Sequence, residues 1–376
     1  MNIQGCRCVS ALVRCHSGAD LCHISEQLIA MLAPLTTHRQ QKVRLAAIAA
    51  LTGVLPCGGQ AMIPQLMACP EPHSVPIADF YQPSCRVNFF AHLATDSAVS
   101  VRQAFLLMLA SWLGDAPPKE DCAAHAGSPE LPNGHPLTAH RAALFPYVMA
   151  LLADDSPAVA GDAVACLERL GVRHMQARLE QKAPHSMPDE EEATPSHGCG
   201  GLLWRTAADG ECAHQGQAGS NAAIAIAPGK LTTPFKARPS AGFRMLVQAH
   251  LEELLSGISG DLLGWAPGPR TKAAKLLRLC LLFWESTIAD HLQRLLPLLV
   301  KAYEDEGAQQ HLRACCFLIG FCVPKEDWAF VFSQHVEETS ASGKSSACQA
   351  VLKALQEGSD SAAAAEENAL QPAVNY

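Results

Sequence analysis

The sequence predicts an all-α chain built as a solenoid of stacked helical hairpins. Three observations carry that reading. The first is an apolar stripe that occurs three times. Val43 is followed by Ala46, Ala47, Ala50, Leu51 and Val54, Val101 by Ala104, Phe105, Met108, Leu109 and Trp112, and Leu312 by Cys315, Cys316, Ile319, Gly320 and Val323; the offsets are three, four, seven, eight and eleven each time. Such offsets keep to one side of a 3.6-residue helix. The second is an arginine one residue after the start of each stripe: Arg44, Arg102 and Arg313. The third is composition: 49% of residues are hydrophobic but only 6% aromatic, and much of the apolar content is alanine, which favours helix and close helix packing. A repeated helix of this kind cannot bury its apolar side alone, so the copies must stack. Stacked hairpins offer surfaces rather than a catalytic pocket, which points to binding.

The first hairpin is predicted from Asp20 to about Ala33 and from Gln41 to Leu55, with Pro34 and residues 36–41 in the turn and Pro56, Gly58 and Gly59 as the stop. A proline-rich insertion follows at 56–84, with room for a short helix around Ala61 to Met67. The second hairpin pairs Cys85–Ala94 with a helix running to Leu113 across the turn Asp96-Ser97. A polar loop at 114–138 leads to the third, His140–Ala153 and Ala158 to about Leu179. Its turn, Asp154-Asp155-Ser156-Pro157, has sound capping chemistry, but the basic position is lost, with Gly161 standing where Arg44 and Arg102 stand.

Residues 183–240 differ in kind. An acidic run, Asp189 to Glu192, is followed by Gly, Ala, Ser, Thr and Pro with little periodicity, the pattern of a disordered linker. The second array starts near Ala241 with a helical face of Phe243, Leu246, Val247, His250, Leu251 and Leu254. Helices are then predicted at Thr271–Trp284, Ile288–Tyr303, Ala308–Phe321, Asp327–Glu338 and Ser345–Gln356, with a frayed Ala/Glu-rich tail after Gly358. The expected organisation is therefore an N-terminal array at 1–180, a linker at 181–240, a C-terminal array at 241–357 and a tail at 358–376.

Other sequence features narrow the function. Lys and Arg number 28 against 36 acidic residues, a net charge of −8, unlike the basic footprint of a nucleic-acid binder. Arg270, Lys272, Lys275 and Arg278 spread over roughly half a helix circumference and read as a solvated flank. The 16 cysteines include several within stripes (Cys166, Cys280, Cys315, Cys316, Cys322), where small thiols pack well and suit a reducing compartment. No run of about 18 apolar residues suggests a membrane span, and Leu276–Trp284 reads as a buried central helix. Residues 1–19 hold Arg7 and Arg14 and no acidic residue; a transit peptide and a degenerate helix leading into the first repeat both stay open.

The segments Thr95-Asp96-Ser97-Ala98-Val99-Ser100-Val101-Arg102-Gln103-Ala104 and Gln41-Lys42-Val43-Arg44-Leu45-Ala46-Ala47 resemble HEAT repeats. The fold expected is thus an α-solenoid of HEAT-type antiparallel helical hairpins interrupted by a disordered linker. Lys272 to Arg313 spans 41 residues, near the roughly 40–47 of such units. The resemblance implies a ladder in which each turn carboxylate meets a basic side chain of the neighbouring unit. His38 replaces the turn Asp in the first unit. A closer resemblance lies in Leu262-Leu263-Gly264-Trp265, Arg270-Thr271-Lys272-Ala273-Ala274-Lys275-Leu276-Leu277, His291-Leu292, Leu295-Leu296, Ala308, Cys315, Gly320, Val323-Pro324 and Trp328, with Leu144-Phe145-Pro146-Tyr147 and Leu151-Leu152-Ala153-Asp154-Asp155 in the first array. This pattern is similar to the HEAT-repeat axonemal dynein assembly factors (the dynein assembly factor five family). The resemblance implies a cytoplasmic scaffold for preassembly of axonemal dynein arms. Its implied partners are axonemal dynein chains and other assembly factors or chaperones, with neither nucleic acid nor membrane among them. It brings no catalytic, cofactor or metal residues. A generic HEAT adaptor in another complex is the alternative; a HEAT-like DNA-repair glycosylase fits the charge less well.

Isolated motifs add little. Ser342-Gly343-Lys344-Ser345 looks like the end of a phosphate loop, but Glu338 stands where the first glycine belongs and no strand precedes it, so a helix-capping turn is the simpler reading. His197, Cys199, Cys212 and His214 offer soft ligands at spacings unusual for zinc, as do Cys6, Cys8, Cys15, His16, Cys22 and His23. No Ser/His/Asp order, nucleophile elbow or paired-carboxylate pocket stands out. Trp112, Trp284 and Trp328 fall at helical core positions.

Overall fold

A computed structural model describes residues 3–16, 18–67, 87–114, 137, 140–182, 234–235, 239–264, 267–338 and 346–370. Regular structure among them is helical: α1 (Ile3–Cys15), α2 (Gly18–Leu32), α3 (Gln41–Val54), α4 (Ile63–Leu66), α5 (Phe89–Ala94), α6 (Val99–Trp112), α7 (Arg141–Leu152), α8 (Pro157–Lys182), α9 (Ala241–Ala249), α10 (Leu251–Leu262), α11 (Pro267–Trp284), α12 (Leu292–Ala302), α13 (Glu306–Cys322), α14 (Lys325–Glu338) and α15 (Ser346–Leu370). The chain is all-α and of HEAT type, as the periodicity requires. It forms two compact units, Met1–Leu170 with Glu252–Asp261, and Gly171–Leu251 with Leu262–Tyr376. No described helix is long and apolar enough to cross a membrane.

In the first unit the hairpins α2/α3, α5/α6 and α7/α8 follow the predicted pairing. Stripe residues Val43, Ala47, Ala50, Leu51 and Val54 are buried, as are Val101, Phe105, Met108, Leu109 and Trp112. Ala46 and Ala104 are only half-buried. The centre is aromatic: Phe90 lies 5.8 Å from Phe105, 6.0 Å from Trp112 and 5.7 Å edge-on from Tyr147, centroid to centroid. Asn88 organises it. Its Oδ1 accepts from the Ala91 amide at 2.9 Å and caps α5, while its Nδ2 donates to the Tyr147 hydroxyl at 3.0 Å. Residues 3–15 form a helix, α1, that packs on α3, where a Cβ at Gly53 would stand 2.7 Å from Val13 Cγ1.

The helix predicted over 243–254 breaks at His250 into α9, which lies in the second unit, and α10, of which Glu252–Asp261 belongs to the first. Leu276–Trp284 is buried apart from half-buried Arg278, and Trp112, Trp284 and Trp328 are all core. Leu312, Cys315, Cys316, Ile319, Gly320 and Val323 are buried, so the third stripe is more enclosed than the first two. Burial holds these thiols protonated: Cys316 is pushed up to about 12, and Cys280 and Cys315 also rise. α15 continues past Gly358 to Leu370. Its crossing with α13 is set by glycine. A Cβ on Gly320 would sit 2.0 Å from the Leu355 carbonyl oxygen, and one on Gly358 2.1 Å from that of Phe317. Gly171 and Gly242 make a second such backbone contact, with a Cβ on Gly171 2.3 Å from the Phe243 amide nitrogen.

Gly320→Ala and Gly358→Ala should each lower stability by about 2 kcal/mol or more in urea unfolding, because backbone has to move. Gly161→Ala, with open space around its Cβ, should raise it by about 0.5–1 kcal/mol.

Candidate functional site: the turn ladder and the second-helix faces

The turns carry the ordered polar chemistry. Asp96 sits in the α5–α6 turn, and its Oδ1 accepts from the Ala98 amide at 2.8 Å. Asp154 repeats this before α8, accepting from Ser156 at 2.7 Å. His38 takes the same place before α3, with Nδ1 accepting from the Gln40 amide at 3.1 Å, so a ring nitrogen replaces the carboxylate in the turn.

Arginines join successive turns. Arg44, fourth residue of α3, places Nε 2.6 Å from Asp96 Oδ2 and donates Nη2 to Oδ1 at 2.8 Å; its Nη1 donates back to the His38 carbonyl at 2.8 Å. Arg102, fourth residue of α6, repeats this with Nε 2.6 Å from Asp154 Oδ2, Nη2 to Oδ1 at 2.8 Å and Nη1 to the Asp96 carbonyl at 2.6 Å. Asp96 is therefore held by two arginines, one on its carboxylate and one on its carbonyl. Both pairs are nearly closed to solvent, with side chains 10% and 3% exposed in the first and 12% and 6% in the second. The bond to Asp154 and the nearby carboxylates hold the Arg102 guanidinium above its ordinary range, against the opposing cost of burial.

The structure shifts the expected alignment of the ladder. Since Asp154 is the turn residue equivalent to Asp96, the position equivalent to Arg102 is Ala160, which is buried, and not Gly161, which is exposed. Asp154 and Ala160 keep the six-residue spacing of Asp96 and Arg102, and Gly161 comes into line only when Asp155, next to Asp154, is taken for the turn residue. In the second unit the rung is Arg270, fourth residue of α11, with Nε 3.0 Å from Asp305 Oδ2; Lys272 is not the counterpart. Asp305 also caps α13 through the Gly307 amide at 3.0 Å. Arg313 lies a turn too late in α13. It meets Glu357 at 2.9 Å on the surface, 57% exposed, a pairing of little energetic weight. Gln309 occupies the fourth position of α13 and donates to the Tyr303 carbonyl at 3.1 Å. That keeps the contact to its own turn without a charge.

Among the described residues the remaining candidates do not assemble into a chemical centre. Cys6 is buried on α1 while Cys8, Cys15 and Cys22 are exposed, and no metal-holding group of three forms among the described residues. His197, Cys199, Cys212, His214, the acidic run 189–192 and Ser342–Ser345 lie outside the described residues. A cleft of about 440 Å³ lies beside the Arg270–Asp305 rung, lined also by Leu263, Lys301, Glu304 and Glu306. Asn88 and Gln309 were not singled out by sequence. The N-cap position of Asn88 before Phe89 was the available signal for the first, and no signal marked the second.

Repeated hairpins, Asx turns and arginine–aspartate rungs between successive hairpins define a HEAT-repeat protein. Within that class, residues 230–369 match the family described as dynein axonemal assembly factor 5, HEAT-repeat domain. The chain is also similar to dynein axonemal assembly factor 5 of Mus musculus and of Homo sapiens, 24% identical to each over 347 residues. That alignment covers 90% of this chain and 31% of each relative, so the chain spans about a third of their length.

Replacing Arg102 with Met leaves Asp154 charged and buried, and should cost about 3–5 kcal/mol, read as a lower urea midpoint. Arg313→Met should change it by less than about 1 kcal/mol. Burial depresses His92, with Asp96 opposing and Arg44 adding to the effect, and burial also depresses His140. The unfolded chain takes up these protons near 6.5 while the folded chain resists. Their contribution is full above that pH and is lost as pH falls below it. The urea midpoint should drop between about pH 7.5 and about pH 5.5, and His92→Gln should flatten that drop.

Proposed function

We propose that this chain is a non-catalytic HEAT-repeat scaffold for preassembly of axonemal dynein arms, working in the cytoplasm. The observation that carries the reading is an alignment with dynein axonemal assembly factor 5 that runs through both units, together with the family match over 230–369. The physical character of the chain supports it. Hairpins tied turn to turn make a surface on which partner segments can be held in fixed relation. The buried cysteines are held as neutral thiols by desolvation, poor nucleophiles suited to packing rather than reaction. The proposed partners are axonemal dynein chains and other assembly factors or chaperones.

The test is made in a ciliated host that carries this gene. Affinity purification of the tagged chain before ciliogenesis should bring down dynein heavy or intermediate chains, and gene disruption should deplete dynein arms in cross-sections of the axoneme. Intact arms after disruption, with no dynein in the purified material, would sink the proposal. Recovery of an unrelated complex would favour a generic adaptor instead.

A further inference from the structure

α3 and α6 have 14 residues each, whereas α8 has 26. The first part of α8 buries Ala163, Leu167 and Leu170. Past Gly171 the helix carries a second apolar stripe, Val172, Met175 and Leu179, at offsets of three and seven. At 3.6 residues per turn these three fall within an arc of about 60°, roughly opposite the side of Ala163, Leu167 and Leu170. They do not continue the buried side. Val172 is 50% exposed and Leu179 63%, while Met175 is half-buried. Among the described residues no large apolar side chain is more exposed than Leu179. Two arginines border the stripe, Arg178 about 60° beyond Met175 and Arg173 about 100° beyond Val172. Both are exposed, and neither has an ion pair or a side-chain hydrogen bond among the described residues. The one acidic residue of 172–180 is Glu180, on the Arg173 side and two turns further along.

A surface helix turns its polar side to water, so an outward apolar stripe is a face that another element covers at a gain in free energy. Anchors at i, i+3 and i+7 are the spacing by which one amphipathic helix meets another, and methionine and arginine are the side chains that such interfaces favour. The arginine stems widen the apolar strip, and their exposed heads take carboxylates in charge-assisted bonds. We propose that residues 172–179 of α8 dock an amphipathic helix of a partner protein whose apolar side is bordered by glutamate or aspartate. A lipid surface fits less well, because three apolar residues beside Glu180, in a chain of net −8, bury little area against an acidic membrane. The inference deepens the scaffold reading, on which it rests for the existence of a partner, by naming the chemistry of one docked segment.

The test is fluorescence anisotropy of a labelled helical peptide of about 18 residues, with leucines at i, i+3 and i+7 and glutamates beside them, titrated with the full chain. The expected result is saturable binding that weakens with salt, falls about tenfold in Leu179→Glu and severalfold in Arg178→Gln, and is unchanged in Leu107→Glu on α6. The same peptide with lysines in place of the glutamates should bind about tenfold more weakly, and equal affinity of the two peptides overturns the acidic borders. Absence of binding at low salt overturns the proposal, as does equal affinity in the parent and both α8 variants. Circular dichroism checks folding. If Leu179→Glu does not fold, the exposed Arg178→Glu decides, and unchanged affinity there overturns the docking site. Binding of the parent to phosphatidylserine vesicles that Leu179→Glu abolishes reassigns the stripe to a membrane. A parent dimer that Leu179→Glu turns into a monomer reassigns it to a second copy. Either result sinks the partner proposal. A chain in which Asp189, Glu190, Glu191 and Glu192 are made Asn and Gln tests an internal occupant. If that chain binds the peptide and the parent does not, the chain's own acidic run fills the face and the partner proposal fails. The binding assay involves no dynein, so its failure leaves the assembly reading standing, and loss of the assembly reading leaves the measured affinity intact.

Discussion

A second helix with an apolar side has to be covered by the next hairpin, and the arginine–aspartate rung decides how that cover is placed. Arg44 and Arg102 each reach from the first turn of a second helix to the carboxylate of the following turn. The apolar stripe supplies most of the free energy of stacking, because it removes large side chains from water. It is non-directional, however, and tolerates sliding. A bidentate arginine–carboxylate pair, nearly closed to solvent, does not. The return bonds to the His38 and Asp96 carbonyls make each rung also close its own turn. Turn shape and stacking offset are therefore set by the same side chain.

Where the rung is absent, other contacts set the geometry. Ala160 offers no charge after the third turn, and α8 runs on to Lys182, longer than α3 or α6. In the second unit the rung at Arg270 is kept, while Gln309 retains only the bond to its own turn. There the crossing of α13 and α15 relies on Gly320 and Gly358, which bring backbone against backbone with no room for a Cβ. Ser359 adds a polar lock at the same crossing: its hydroxyl donates to the Gly320 carbonyl at 3.0 Å and accepts from Trp328 Nε1 at 3.1 Å. An ionic lock in the first unit gives way to a steric one in part of the second.

This construction suits binding. The ladder lies at the turns and spends its charges internally, so it adds little to the exposed faces. Neutral side chains on α3 and α6, half-exposed Leu45, Ala46 and Ala104 and exposed Leu107, stay at the surface beside the ladder.

The sequence by itself determined the helical class, the hairpin pairs and the buried side of each second helix. The apolar period of 3.6 is a local property, and prolines and Asx turns stop helices wherever they occur. The stripes from Val43, Val101 and Leu312 and the three core tryptophans were legible for that reason. The arginine one place after each stripe was legible as a residue, but its partner was not. Two adjacent aspartates, Asp154 and Asp155, left the turn residue ambiguous, and only the bond from Asp154 to the Ser156 amide puts the equivalent position at Ala160 rather than Gly161; a register one helical turn off separates Arg313 from the rung that Arg270 makes. Only the tertiary structure decided which charges meet, and that Gly320 and Gly358 touch backbone. Pairing across 35–52 residues, from Arg270 to Asp305 and from Arg44 to Asp96, depends on how whole hairpins stack, and no local pattern encodes that distance.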